Sequence, residues 1–312
     1  MAELLVTVDI MLPIFLMLGL GWLLARIGWM KPPVTSGVNS LIFKLFLPVL
    51  LFNNIRGLSV TQSPDLSFAL YLFFGVLAVF LLAMALVPRF ERDVRKQGVM
   101  VQGIFRTNFA ILGIPLMEAM FGAPGVTMVS LALPVVIPLN NVLAVIALSA
   151  PEGRKASPWA LIRSMLTNPL IVGCALGGLC LLFRLTLPAC VDKTLTQLGA
   201  LASPLSLLVL GASLHWQGVK DNGPELLWTV LLKQLIIPVA MLIPAVALGF
   251  RGEALGVMII LFGAPCAVSS YPMAQAMGGD GPLAANQVVL TTIFSMGTLF
   301  GLIYLGKLLG YL

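Results

Sequence analysis

This sequence is short of charge. Only 10% of its 312 residues are Asp, Glu, Lys or Arg, where a soluble domain carries about 25%. Histidine occurs once and cysteine four times. Cys174, Cys180 and Cys266 fall in apolar runs and Cys190 stands alone in a loop, a pattern that excludes a disulfide framework or a metal cluster. No His-Glu-x-x-His or Gly-x-Ser-x-Gly stretch is present. "MGGD" at 277–280 puts Met where the Gly-x-Gly-Asp of aspartyl membrane proteases needs glycine, and no second intramembrane Asp completes a dyad. An enzyme is therefore not expected, nor a cofactor or a metal. Glu3 and Asp9, with no Lys or Arg, precede the first apolar run, so a cleaved signal peptide is not expected.

What the chain has instead is hydrocarbon. Hydrophobic residues make up 59% of it, and the mean hydropathy is +1.04. Apolar runs of about 20 residues, each long enough to cross a bilayer, recur along its length. They predict an all-α polytopic membrane protein with ten transmembrane helices: 8–28, 35–55, 66–88, 97–121, 124–149, 159–183, 194–215, 223–249, 253–278 and 282–308. The connections are short and leave no room for an inserted soluble domain. The net charge of +6 fits loops on one membrane face better than nucleic acid. Alternate loops carry nine basic residues on one side and five on the other, with "RFERDVRK" at 89–96 supplying much of the bias. Both termini are thus expected outside the cytoplasm, in a multi-pass cell-membrane protein.

The prolines suggest a repeat. Pro13 and Pro169, Gly21 and Gly177, and Pro48 and Pro204 are each 156 positions apart. "PLMEAMFG" at Pro115 and "PMAQAMGG" at Pro272 share the pattern P-x-x-[EQ]-A-M-x-G at an offset of 157. The reading is two five-helix repeats, 1–150 and 159–312, joined by a short cytoplasmic linker at 151–158. An odd number of spans per repeat inverts the second in the membrane, as in secondary transporters whose site lies between the repeats.

Spans 4 and 9 carry the chemistry. Proline removes an amide donor and frees a carbonyl, which membrane depth tolerates only inside protein or beside a wet cavity. Breaks are expected at Gly113-Ile114-Pro115 and around Pro265 and Pro272, with half-helix N-termini facing the cavity. Arg106, Thr107 and Asn108 precede the first break; Ser269, Ser270 and Tyr271 precede Pro272. Arg106 is either a substrate and helix-end anchor or a partner of the freed carbonyls. Asn108, able to donate and accept, is the best single site candidate. Glu118 is the acidic residue within a span core and so the candidate for coupling a proton. Asn140-Asn141 in span 5 either link helices or line the path. Lys44 reads as a crevice or snorkelling residue, Lys233 as anchored near the cytoplasmic side, and His215 as interfacial.

"NFAILGIPLMEAMFGAPG" and "GAPCAVSSYPMAQAMGGD" resemble the two crossover segments of the auxin efflux carrier family, which includes the plant PIN-FORMED exporters and bacterial permeases. "SGVNSLIFKLFLPVLLF", "NPLIVG" and "SPLSLLVLGASL" resemble its second, sixth and seventh helices. The resemblance implies helices 4 and 9 crossing at unwound centres, a scaffold and a transport domain, elevator-like alternating access and a homodimer. It also implies that Asn108 is the crossover asparagine and that Pro115, Pro265 and Pro272 are the helix breakers. The long cytoplasmic loop of the plant exporters is missing, and span 3 has no interior Asp or Glu. Bacterial members are associated with small carboxylates such as malonate and malate. The expectation is a permease for a small organic anion in contact with membrane lipid, with H+ or Na+ coupling possible. The alternatives are an exporter of auxin-like amphipathic weak acids and a non-transporting membrane sensor.

Overall fold

A computed structural model describes residues 2–57, 65–149, 167–214, 219 and 221–312. The expected linker at 151–158, Arg163 and His215 lie outside the described residues. Among those residues the chain is helical, with no strand. We label the helices α1 (Ala2–Arg26), α2 (Pro32–Arg56), α3 (Leu66–Phe90), α4 (Val94–Phe105), α5 (Phe109–Phe121), α6 (Ala123–Ser149), α7 (Pro169–Leu182), α8 (Ala189–Ala212), α9 (Gly223–Ala247), α10 (Gly252–Gly263), α11 (Ser270–Ala276) and α12 (Gly281–Leu308). Seven helical stretches are long and apolar enough to cross a membrane, counting α4 and α5 as one, and three shorter apolar helices accompany them. The protein is an integral membrane protein.

Proline shapes these helices locally. Its ring clashes with the carbonyl four residues back and its nitrogen cannot bond it. Pro48 and Pro238 are each preceded by one wide π turn, Ile42–Phe46 in α2 and Leu232–Ile236 in α9. Leu47 N–H reaches back to Ile42 C=O, and Ile237 N–H to Leu232 C=O, five residues instead of four. The turn widens where the proline withdraws a bond. Pro204 acts differently: α8 is interrupted at Leu201, just after Ala200, whose carbonyl Pro204 cannot bond.

Lipid tails are as apolar as leucine, so close backbone packing joins helices in a bilayer, and small residues permit it. α1 seats on α8, and α2 on both α7 and α8. At Gly21 an added Cβ would overlap the carbonyl of Leu208, and at Gly177 it would overlap that of Phe52. On the other side α3, α4, α5 and α6 pack together with α9, α10 and α12. The deepest parts are the ends of two helices and the segments beyond them. Every residue from 98 to 109 is buried, as is every residue from 255 to 268.

The two span lysines separate. Lys44 is exposed on its π turn, whereas Lys233 is 1% exposed. The π turn rotates Lys233 toward the interior between α4, α10 and α12.

The α1–α8 seat makes a direct prediction. Gly21→Ala should force the helices apart and destabilise the protein by about 1–3 kcal/mol, the usual cost of overpacking. Gly19→Ala meets nothing within 4 Å and should gain up to about 1 kcal/mol of helix propensity. Thermal unfolding of both variants in detergent checks this; equal midpoints would mean α1 does not seat through Gly21.

Candidate functional site

The break between α4 and α5 lies at Arg106-Thr107-Asn108, not at the expected Gly113-Ile114-Pro115. Arg106 leaves the helix with φ −73° and ψ 138°, and α5 then runs unbroken through Pro115. The reason is tertiary. Pro115 removes one donor inside a helix that keeps its other bonds. Asn108, by contrast, finds a replacement partner outside its helix: its N–H donates to the Pro265 carbonyl at 2.8 Å.

The second break runs from Ala264 to Ser269, between α10 and α11. Pro265 sits in it, as expected. Pro272 does not: it is the third residue of α11, a first-turn position whose N–H has no intrahelical acceptor in any case. Cys266 N–H donates to Thr291 Oγ1 of α12 at 3.1 Å, and Ser270 N–H to the Ala267 carbonyl at 2.9 Å. Buried backbone groups are almost always paired, and here two breaks and a neighbouring hydroxyl share the task.

Beside the breaks lies a small cavity of about 90 Å³, partly open to the exterior. Arg106, Thr107 and Asn108 form one wall with Ser269 and the Asn140-Asn141 pair of α6. Leu47, Leu50, Leu51 and Asn54 of α2, with Ser203 and Ser206 of α8, form the facing wall. The mixed polar and apolar lining suits a small polar molecule.

Arg106 is 4% exposed. Its Nη2 donates to Asn141 Oδ1 at 2.9 Å, and its Nη1 to Ser270 Oγ at 3.5 Å. Gln102, its amide oxygen turned to the guanidinium, accepts from Nη1 at 3.0 Å and donates to the Ser270 carbonyl at 3.2 Å. The Met273 thioether closes against Nη1 at 2.7 Å. Every oxygen partner is neutral. Among the described residues no carboxylate pairs with this buried charge; the ion pairs found are Arg56–Asp192 and Lys96–Glu225, both elsewhere. A buried cation normally has a counter-ion, so this one is oriented but not neutralised.

The cavity also holds unused polar atoms. Asn140 Oδ1 and Thr107 Oγ1 are buried without a partner. Neither the Asn140 nor the Asn108 side-chain amide makes a hydrogen bond among the described residues.

Of the residues expected from sequence, Arg106, Asn108 and Ser269 line the cavity. Ser270 accepts from Arg106, and Pro265 receives the Asn108 amide. The others turn elsewhere. Gly113 packs against Val129, Ile114 is 37% exposed, and Pro115 lies within α5. Tyr271 Oη donates to Ser213 Oγ at 2.6 Å, and the Pro272 carbonyl accepts from Asn39 Nδ2 at 3.4 Å, both beyond the lining. Glu118 is exposed near the end of α5. Asn54, Ser203, Ser206 and Gln102 were missed. Ser203 and Ser206 flank Pro204, whose match to Pro48 was the available signal; nothing in the sequence singled out Gln102.

Pro115→Ala should restore one helix bond and leave the 106–108 break in place. The variant should purify with equal or higher thermal stability and retain its ligand binding. A loss of binding with intact fold would return Pro115 to the site.

The family model described as "Membrane transport protein" matches residues 6–303. The chain is also 24% identical, over 95% of its length and 94% of the other's, to a protein of Rhizobium meliloti (strain 1021) named "Putative malonate transporter".

Proposed function

Since the chain belongs to the membrane transport protein family, the auxin efflux carriers it resembles, we propose that it is a secondary transporter of a small organic anion, a carboxylate of the malonate or malate kind. The observation that carries the substrate class is Arg106. A guanidinium held in the interior by neutral groups, on the wall of a cavity, calls for an anion from outside the protein. α5 begins at the same place, and its N-terminus adds about half a positive charge.

In this reading the chain forms ten spans as two inverted repeats, 1–150 and 159–312. The packing supports it. Gly21 meets Leu208 and Gly177 meets Phe52; both the glycines and their partners are 156 positions apart. Helices α1, α2, α7 and α8 act as scaffold, and the helices around the two breaks move against them as an elevator. A homodimer and H+ or Na+ coupling complete the proposal, although among the described residues no carboxylate lines the cavity for a coupling ion to use.

With both termini outside, the C-terminal half of α2 and the N-terminal half of α8 lie toward the outside. The cavity residues Leu47–Asn54 fall in that half of α2, Ser203–Ser206 lie just past the middle of α8, and Asn39 and Ser213, which bond α11, fall on the cytoplasmic side. In this reading the bonds to α11 close the cavity on its inner side. Labelling intact cells with an impermeant thiol reagent tests the orientation: Lys96→Cys should stay unlabelled from outside, and efficient labelling would invert the assignment.

Counterflow of labelled malonate in proteoliposomes tests the function. Arg106→Gln should weaken carboxylate binding about 10- to 150-fold, the range of a charge-assisted hydrogen bond. Asn141→Asp is the sharper variant. It puts a carboxylate where Oδ1 now sits 2.9 Å from Nη2, so it supplies the missing counter-ion from within. Anion binding should fall by a similar factor while stability holds or rises. If Asn141→Asp binds malonate normally, Arg106 belongs to the scaffold of the break and not to the substrate.

A further inference from the structure

Among the described residues the cavity contains one formal charge. Arg106 supplies it, and no other described Lys, Arg, His, Asp or Glu lines the space. The remaining polar groups are amides and hydroxyls, and the walls between them are leucine, isoleucine, valine and phenylalanine side chains. A second full negative charge in such a place would lack a counter-ion and lose its water. The N-terminus of α5 strengthens the hold on the first charge, but half a charge does not neutralise another carboxylate.

Asn140 adds the second observation. It directly precedes Asn141, which bonds Arg106, so their α-carbons are about 3.8 Å apart. Its side chain is buried, its Oδ1 has no partner, and its amide meets the cavity. An amide pairs with a neutral hydrogen-bonding group in either orientation, and it accepts a proton that a bare carboxylate cannot offer.

We propose that the site takes its substrate as a monoanion, with a carboxylate on Arg106 and a neutral acid, amide or hydroxyl group on Asn140. A dicarboxylate would then be bound and carried as its hydrogen form, and the loaded cavity would be electroneutral. This deepens the reading of the cavity as the substrate site and rests on it.

Other groups that titrate near Arg106 are Cys266 in the second break and Cys174 on α7, and the charge of Lys233 on α9 acts on Cys266 in turn. Any of these could impose a pH dependence of its own, so the test needs a ligand whose charge does not change.

Malonate and its mono-amide, malonamate, make that pair, measured on the purified full-length protein by calorimetry across the pH range around and above malonate's second ionisation. Malonamate, a fixed monoanion, should bind with nearly constant affinity. Malonate should weaken about tenfold per pH unit once its hydrogen form becomes scarce, which is about 1.4 kcal/mol per unit. Asn140→Ala should weaken malonamate about tenfold, within the range of a neutral hydrogen bond, and leave propionate, which has no second polar group, nearly unchanged. Malonate binding that is flat with pH would overturn the proposal and leave anion transport standing. An equal pH-dependent fall for both ligands would also overturn it, because the titrating group would then be the protein's. Equal losses of malonamate and propionate in Asn140→Ala would remove Asn140 from the assignment. Failure of all three ligands to bind at any pH would overturn the parent reading along with this one.

Discussion

A chain in hydrocarbon must satisfy its backbone from within, and the structure depends on how the two breaks meet that demand. An ordinary helix break would leave several amides and carbonyls without partners at a depth that water does not reach. Here the extended segment at 106–108 lies against the one at 264–269, and Asn108 N–H bonds the carbonyl of Pro265. Proline suits that position because it has no amide to satisfy and still offers its carbonyl. Each break is therefore tolerable because the other is present. The burial of 98–109 and 255–268 follows, since the paired segments need protein around them wherever the cavity does not reach.

That arrangement decides where a charge can be held. Arg106 is the first residue out of α4, so its side chain starts where the helix no longer directs it along its own surface. Gln102, one turn earlier, supports the guanidinium and also ties it to Ser270 across the crossing. Asn141 adds a fixed acceptor from α6. Three neutral partners on three segments orient the group without cancelling its charge. A single carboxylate among them would have made the same geometry a structural ion pair. Neutrality of the partners, more than burial alone, makes the position available to a ligand.

Much of this was legible in the sequence, and the exceptions have physical causes. The apolar runs pointed to an all-helical membrane protein because length and hydropathy are local properties. The cluster Arg106-Thr107-Asn108 stood out because charge and amide are costly in an apolar run. The location of the first break was not legible. Pro115 is the stronger local breaker, yet the helix opens seven residues earlier, where a partner from α10's end takes the free amide. Local propensity names residues that can end a helix; the tertiary partner chooses where it ends. Lys233 shows the same limit. Its π turn depends on Pro238, five residues away, and the rotation that buries it cannot be read from hydropathy. Two of the residues that bond Arg106, Gln102 and Asn141, were hidden or undecided for the same reason: an amide's value lies in what it faces.

The distribution of polarity between the cavity walls bears on movement. Among the described lining residues the formal charge lies on the side of the breaks, with Arg106, while the facing wall of α2 and α8 offers leucines, one asparagine and two serines. Ser206 already donates to the Ala202 carbonyl at 2.6 Å, so its hydroxyl is committed to its own helix. An anion drawn to this cavity would thus be held by the broken segments and only bordered by the scaffold wall. In the proposed cycle that asymmetry is a requirement. A carrier that slides one unit past another must keep its ligand on the moving unit, and strong bonds to the fixed wall would have to break at each passage. Among the described residues, hydrogen bonds from Tyr271 to Ser213, from Asn39 to the Pro272 carbonyl and from Asn168 to the Met277 sulfur join α11 and its end to the proposed scaffold. Each lies away from the cavity, and each is a neutral hydrogen bond of the kind worth about 0.5–1.5 kcal/mol. Contacts of that size can bias one end state and still be exchanged for others, whereas an ion pair across the same interface would hold the units together more firmly.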